Sequence, residues 1–250
     1  MAQLTKDLFQ PWLDVTLGAL PEQRFVRVDK STVFELSWNP NTEDSDYIDQ
    51  KNASTELKNY QPELPQEIVL DDTNPLYRFM DAFFEQMPTG SDCVVPFLLV
   101  KPDLATGQPT RGLYWPKAEV HPDTTNAVDG KLSFNIELNG DFQVGTAALT
   151  DGRMAFTPSE YATGVTVPDA AVSVAVGGSA ALGAEPTGGD GFLVYASSNP
   201  SVASVDPDGT VRGVSAGSAD VHVLCLAGGK RYTGTARVTV TAPAKADARK

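Results

Sequence analysis

Histidine and cysteine are almost absent from this chain, and cations are scarce: two His, two Cys, and 19 Lys and Arg against 32 Asp and Glu in 250 residues. Two scattered histidines cannot assemble a zinc site or a paired general base, so His121 and His222 read as structural or surface groups. Cys93 and Cys225 each sit in an apolar strand pattern and read as buried thiols, a bridge between them being the alternative. The cation deficit is local. Residues 1–150 carry 11 basic and 23 acidic side chains, a balance of −12, whereas residues 151–250 carry 8 and 9, a balance of −1. A surface so acidic repels phosphate, which excludes a basic nucleic-acid patch. No window approaches the ~18 apolar residues of a membrane helix. The start, MAQLTKDLFQPWLDV, lacks a positive region followed by an apolar core, so the expectation is residence in the cytosol or release by lysis, without membrane contact. Helical periodicity is confined to one segment, while 18 Pro and 21 Gly supply turns, so the predicted class is mainly β.

What is present is clearest at residues 197–223, SSNPSVASVDPDGTVRGVSAGSADVHV, where turn residues alternate with single apolar anchors. Asn199-Pro200 starts a turn, and Asp206-Pro207-Asp208-Gly209 forms another: Pro207 presets φ, the two Asp bond backbone amides, and Gly209 tolerates the exit. Val202, Val205, Val211, Val214, Val221 and Val223 are the predicted core face. The stretch resembles the bacterial immunoglobulin-like (group 2) domain, whose SNPSVA-x-VD-x-x-G-x-V-x-G-x-x-AG-x-A signature it matches nearly position for position. The resemblance implies a small β-sandwich over residues 165–242, followed by a disordered end at 243–250. Such a module identifies a fold and leaves function to the other half.

In residues 1–150, residues 24–28 and 32–38 read as a hairpin, with Phe34, Leu36 and Trp38 alternating on one face. Residues 39–66 lose periodicity, and at ~28 residues exceed an ordinary connection several-fold, which points to a contact or assembly loop. Its candidate residues are Glu43, Asp44, Asp46, Asp49 and Tyr60. Calcium is the sharp reading of that acid cluster, but Asp44 as loop position 1 puts Ile48 where an oxygen ligand is needed, so a solvated loop is expected and no metal.

Asn74 is a good N-cap and Pro75 suits the first helical position. The helix is expected to run to about Met87, with Leu76, Phe79, Met80, Phe83, Phe84 and Met87 as one apolar stripe packed on a sheet. Residues 93–100 and 113–120 read as apolar strands. Leu132, Phe134, Ile136 and Leu138 alternate with Ser133, Asn135 and Glu137, which predicts a sheet with one dry and one wet face. Residues 151–164 are the expected linker between two domains.

Three motifs that suggest chemistry fail on context. Gly213-Val214-Ser215-Ala216-Gly217 fits G-x-S-x-G, but a nucleophile elbow needs a following helix, and alternating residues follow here. Gly188-Gly189-Asp190-Gly191 lacks phosphate-loop spacing, and Asn52-Ala53-Ser54 carries no weight as a sequon without a secretory route. No catalytic residue, cofactor or metal is assigned, and an enzyme is not expected.

The order of acidic loop, PELPQEIVLDDTNPLYRFMDAFFEQMPTGSD, VVPFLLV and VDGKLSFNIELNGDFQVG resembles the major tail tube proteins of long non-contractile-tailed, lambda-type bacteriophages and prophages over about residues 7–145. That resemblance implies a barrel-forming β-sandwich with one flanking helix, assembled as stacked rings, hexameric in that family, around a tape measure protein. DNA would pass through an acidic bore without specific binding, and the tail terminator and the baseplate or distal tail proteins would be further partners. The immunoglobulin-like module would decorate the exterior, with weak contact to host-surface carbohydrate. A head-to-tail ring also gives open sheet borders a partner. The rival reading is a bacterial surface adhesin or wall-binding module.

Overall fold

Residues 6–45, 54–103 and 108–242 are described by the computed structural model. The chain divides after Pro158 into two units, Met1–Pro158 and Ser159–Lys250. The first contains β1 (Gln10–Asp14), β2 (Phe25–Arg27), β3 (Pro40–Ser45), β4 (Ser54–Tyr60), β5 (Glu63–Val69), α1 (Pro75–Phe84), β6 (Phe97–Pro102), β7 (Pro109–Trp115), β8 (Glu119–Asn126), β9 (Lys131–Glu137), β10 (Gln143–Thr150) and β11 (Arg153–Pro158).

The apolar run in β6 marks a strand buried on both faces. Phe97 and Leu99 point into the main core, and Leu98 and Val100 into a second cluster. β6 is central in a six-stranded sheet ordered β11-β10-β7-β6-β1-β2. Its border strands β2 and β11 return to within contact distance of each other without a shared ladder, so the sheet curls on itself. Trp12, Leu98, Val100, Tyr114 and Met154 fill the inside of the curl. Gly112 and Gly145 pair directly opposite one another, and a Cβ on either would meet the Phe156 ring at 2.8 and 2.7 Å. The glycines make the slot in which that ring lies.

The outer face of the curl packs on a three-stranded antiparallel sheet, β5-β9-β8. Leu132, Phe134, Ile136 and Leu138 alternate into the core, with Leu64 and Ile68 beside them. α1 closes the same core with Leu76, Met80 and Phe83 buried, and Phe79 and Phe84 half-buried against them. Asn74 Oδ1 accepts the N–H of Leu76 at 2.8 Å, and Asn74 Nδ2 donates to Asp29 Oδ1 at 2.9 Å. The helix ends at Phe84, three residues before the expected end. Met87 has left the helical path with φ +47 and is 83% exposed, so it belongs to no packing stripe.

Four further expectations are corrected. Residues 32–38 are not a strand paired with 24–28: β2 pairs with β1, and Ser31 and Ser37 make single bridges to β5. That segment covers the outer border of β5, so this border is completed within the chain and not by a neighbour. The described residues of 39–66 are not a loop, because β3 and β4 pair as a ribbon and β5 begins at Glu63. The apolar stretch 93–100 becomes a strand only at Phe97, after a short 3-10 turn over Gly90–Cys93. The first half of the expected linker, residues 151–158, is a strand hairpin instead: Asp151 (φ +50) and Gly152 (φ +75) form a tight turn of the kind favoured by Asp-Gly, and β11 pairs back on β10, with the division between the units falling after Pro158.

The second unit holds β12 (Gly164–Thr166), β13 (Ala171–Ala175), β14 (Ser179–Ala181), β15 (Glu185–Thr187), β16 (Phe192–Ser197), β17 (Ala203–Val205), β18 (Thr210–Gly213), β19 (Gly217–Ala227) and β20 (Lys230–Thr241). One sheet runs β13-β20-β19-β16 with β13 and β20 parallel, a second β14-β18-β17, and β12 pairs β15. Val211, Val221 and Val223 are fully buried between them, and Val202 and Val205 pack partly buried against the same core. Val214 is 50% exposed, because β18 ends at Gly213 and the chain turns out of register there. At the predicted turn Gly209 has φ +81, and a Cβ there would strike the Tyr195 ring at 2.8 Å. Thr210 N–H donates to Asp208 Oδ1 at 2.9 Å. Gly213–Gly217 joins two strands, so the G-x-S-x-G pattern is not a nucleophile elbow. Residues 243–250, expected to be disordered, lie outside the described residues.

Candidate assembly surface

β3 and β4 form a two-stranded antiparallel ribbon with its register shifted between Asn41 and Thr42, and nearly every residue of it is exposed. Local chemistry explains how such a ribbon persists. Asn39, at φ +40, turns the chain at its base, and Asn39 Nδ2 donates to Glu63 Oε1 at 2.8 Å. Trp38 and Tyr60 meet edge to face at 6.3 Å beside that turn. Glu43 and Glu56 are directly opposed, which like charges disfavour, and Lys58 Nζ lies 3.1 Å from the first and 2.8 Å from the second. Thr55 Oγ1 donates to Asp44 Oδ1 at 2.7 Å. Of the predicted assembly residues, Glu43, Asp44 and Tyr60 therefore share this ribbon, while Asp46 and Asp49 lie outside the described residues.

A second polar surface is the outer face of the β5-β9-β8 sheet. Its registers place Glu63 opposite Glu137 and Glu137 opposite Glu119, a row of three carboxylates across three strands. His121 lies between two of them, with Nε2 3.2 Å from Glu119 Oε2 and Nδ1 3.1 Å from Glu137 Oε1. Asn135 Nδ2 donates to Glu63 Oε2 at 3.0 Å. Further along, Lys131 pairs with Glu67, whose carboxyl is held below its usual range first by that ammonium and then by the Thr32 hydroxyl. The face is polar and acidic, but held together by cross-strand pairs. Sequence reasoning placed Glu137 on this face and missed His121, whose spacing of two from Glu119 on one strand was the available signal.

The two cysteines are free and buried, and burial pushes both thiols up. Among the described residues no helix is long and apolar enough to cross a membrane.

Residues 161–236, the two-sheet sandwich of the second unit, match the family model of the bacterial Ig-like domain (group 2). The second unit is Ig-like. No curated protein sequence matches the chain. Among solved structures, the chain is similar to a chain of the anti-feeding prophage baseplate, from its 6-fold symmetrised cryo-EM structure. The TM-score is 0.36 and the identity 10%, over 58% of this chain and 96% of that one. It is also similar to a chain of the anti-feeding prophage cap, described as a tube terminating cap, with TM-score 0.33 and 14% identity over 59% and 93% of the two chains. The Ig-like unit lies outside the stretch that resembles tail tube proteins in sequence.

Proposed function

We propose that this chain is a structural subunit of a bacteriophage tail tube, assembling with copies of itself into stacked rings, hexameric as the sequence resemblance implies, around a tape measure protein. The observation that carries the reading is the β3–β4 ribbon. An isolated two-stranded ribbon is marginal in water at best, and this one buries almost nothing against its own chain, so it is built to lie on another surface. Its length and exposure suit a contact to the adjacent subunit or ring. The acidic balance of residues 1–150 and the carboxylate row on the outer face of β5, β9 and β8 suit a bore along which DNA slides, since they offer phosphates nothing to hold. The tail terminator and baseplate or distal tail proteins are the partners at the tube's ends, and the Ig-like unit decorates the exterior. No enzymatic role is proposed.

Negative-stain electron microscopy of the purified full chain tests the reading. Rings or tubes are the expected result, and removal of residues 44–59 is expected to abolish them. Dispersed monomers at every concentration would instead favour a surface adhesin or wall-binding module. A chain ending at Pro158 keeps β11 and is expected to assemble without the Ig-like unit.

A further inference from the structure

Among the first unit's scarce cations, three arginines without an ion pair border one groove, while Arg78 and Lys117, also without one among the described residues, lie outside it. Lys30, Lys58 and Lys131 are committed to ion pairs with Asp71, with Glu43 and Glu56, and with Glu67. Arg24, Arg27 and Arg153 make no ion pair among the described residues, and all three border one groove of about 1000 Å³ where β2 and β11 pass each other. Glu22 and Asp29 also border it, but Asp29 already accepts a hydrogen bond from Asn74. Trp12, also in its lining, is 6% exposed, and its indole N–H has no acceptor among the described residues. β2 is hydrogen-bonded only to β1 and β11 only to β10, so each strand keeps one unfilled border beside the groove.

We infer that this arginine groove receives the acidic β3–β4 ribbon of a second copy of the chain. Charge complementarity selects that occupant. The ribbon carries Glu43, Asp44 and Glu56 with Lys58 as its one cation among the described residues, and it has two free strand borders of its own. The chain's own ribbon does not fill the groove, because it is exposed along its length. Docking would set carboxylates against three guanidiniums and pair strand borders that are otherwise open. The two surfaces differ on each molecule, so the contact is head to tail and propagates from copy to copy. This inference rests on the self-assembly proposed above and adds to it the surface that receives the ribbon.

Sedimentation velocity and light scattering on the full chain test it. Arg27→Glu with Arg153→Glu, and separately Asp44→Arg with Glu56→Arg, are each expected to raise the concentration needed for association by at least about tenfold. All four changes in one chain are expected to recover most of the loss. The milder pair Arg27→Gln with Arg153→Gln gives a smaller loss and guards against misfolding, which circular dichroism monitors. If wild type associates and both arginine pairs associate equally well, the groove is not the receiver, and the tail tube reading stands. If wild type stays monomeric throughout, both fall together.

Discussion

Two long ribbons of this molecule follow opposite rules. β19 and β20 pair from Gly217↔Val240 to Ala227↔Lys230 without a register shift, turn through Gly228 and Gly229 in left-handed conformations, and bury Val221, Val223, Ala236, Val238 and Val240 on one face. Each fully buried valine contributes roughly 1.5–3 kcal/mol, so this ribbon holds itself against its own domain. β3 and β4 carry no apolar face, and what holds them is a ladder, one lysine between two glutamates and an aromatic pair at the base. One ribbon is packed within its own unit, and the other is left exposed along its length. The charge difference, −12 for residues 1–150 against −1 for residues 151–250, falls on the same side of that contrast.

A matched pair of substitutions breaks the contrast most sharply. Val221→Asp puts a carboxylate at a site with 0% exposure and is expected to cost about 4 kcal/mol or more, while Leu57→Asp, at 46% exposure, stays within about 0.5 kcal/mol. Denaturant melts of the full chain decide it, and equal losses would end the comparison. The β10–β11 ribbon is an intermediate case, packed on one side and open at its border. Gly145→Ala there drives a methyl to 2.2 Å from Thr157 O and into the Phe156 ring, with an expected loss of about 3 kcal/mol. Asn74→Ala removes the helix cap and its bond to Asp29, an expected loss of about 1–2 kcal/mol read as a lowered urea midpoint.

Smaller still is the clamp between Lys30 and Asp71. The ammonium first, then the Thr73 hydroxyl and backbone, hold the Asp71 carboxyl at about 2 against an ordinary 3.8. Because the folded value is the lower one, its stabilisation is complete above the unfolded value and is lost as pH falls through about 2. Asp71→Asn is therefore expected to flatten that part of the acid melt. Lys58→Ala, on the exposed ribbon, is expected to leave the denaturant midpoint nearly unchanged, because the ion pairs it loses are screened by solvent.

Strict alternation was the legible signal. Residues 131–138 alternate, and β9 (Lys131–Glu137) forms there with the predicted face inward, while Asn74-Pro75 mark the helix start because capping is local chemistry. Errors arose where the deciding partner is distant in sequence. Phe34, Leu36 and Trp38 alternate like a strand, yet β2 takes β1 as its neighbour and leaves them as an irregular cover on β5. Pro40–Ser45 and Ser54–Tyr60 show no apolar period because the ribbon they form has no dry face to encode. Asp151-Gly152 was a readable hairpin signal that small polar composition disguised as a linker. The arginine groove was hidden because Arg24 and Arg153 come to line one groove only when the sheet curls.

The placement of one sulfhydryl in each unit gives the molecule two independent internal clocks. Cys93 closes the short 3-10 turn before β6, with its thiol on the Pro88 carbonyl, and Cys225 packs with Ala162 and Ala227 in the Ig-like unit, both buried. Alkylation of either requires its own unit to open, so peptide mass spectrometry after timed exposure to an iodoacetamide-type reagent reads two opening rates from one sample. Under the proposed assembly, the clock at Cys93 is expected to slow and the one at Cys225 to keep its original pace.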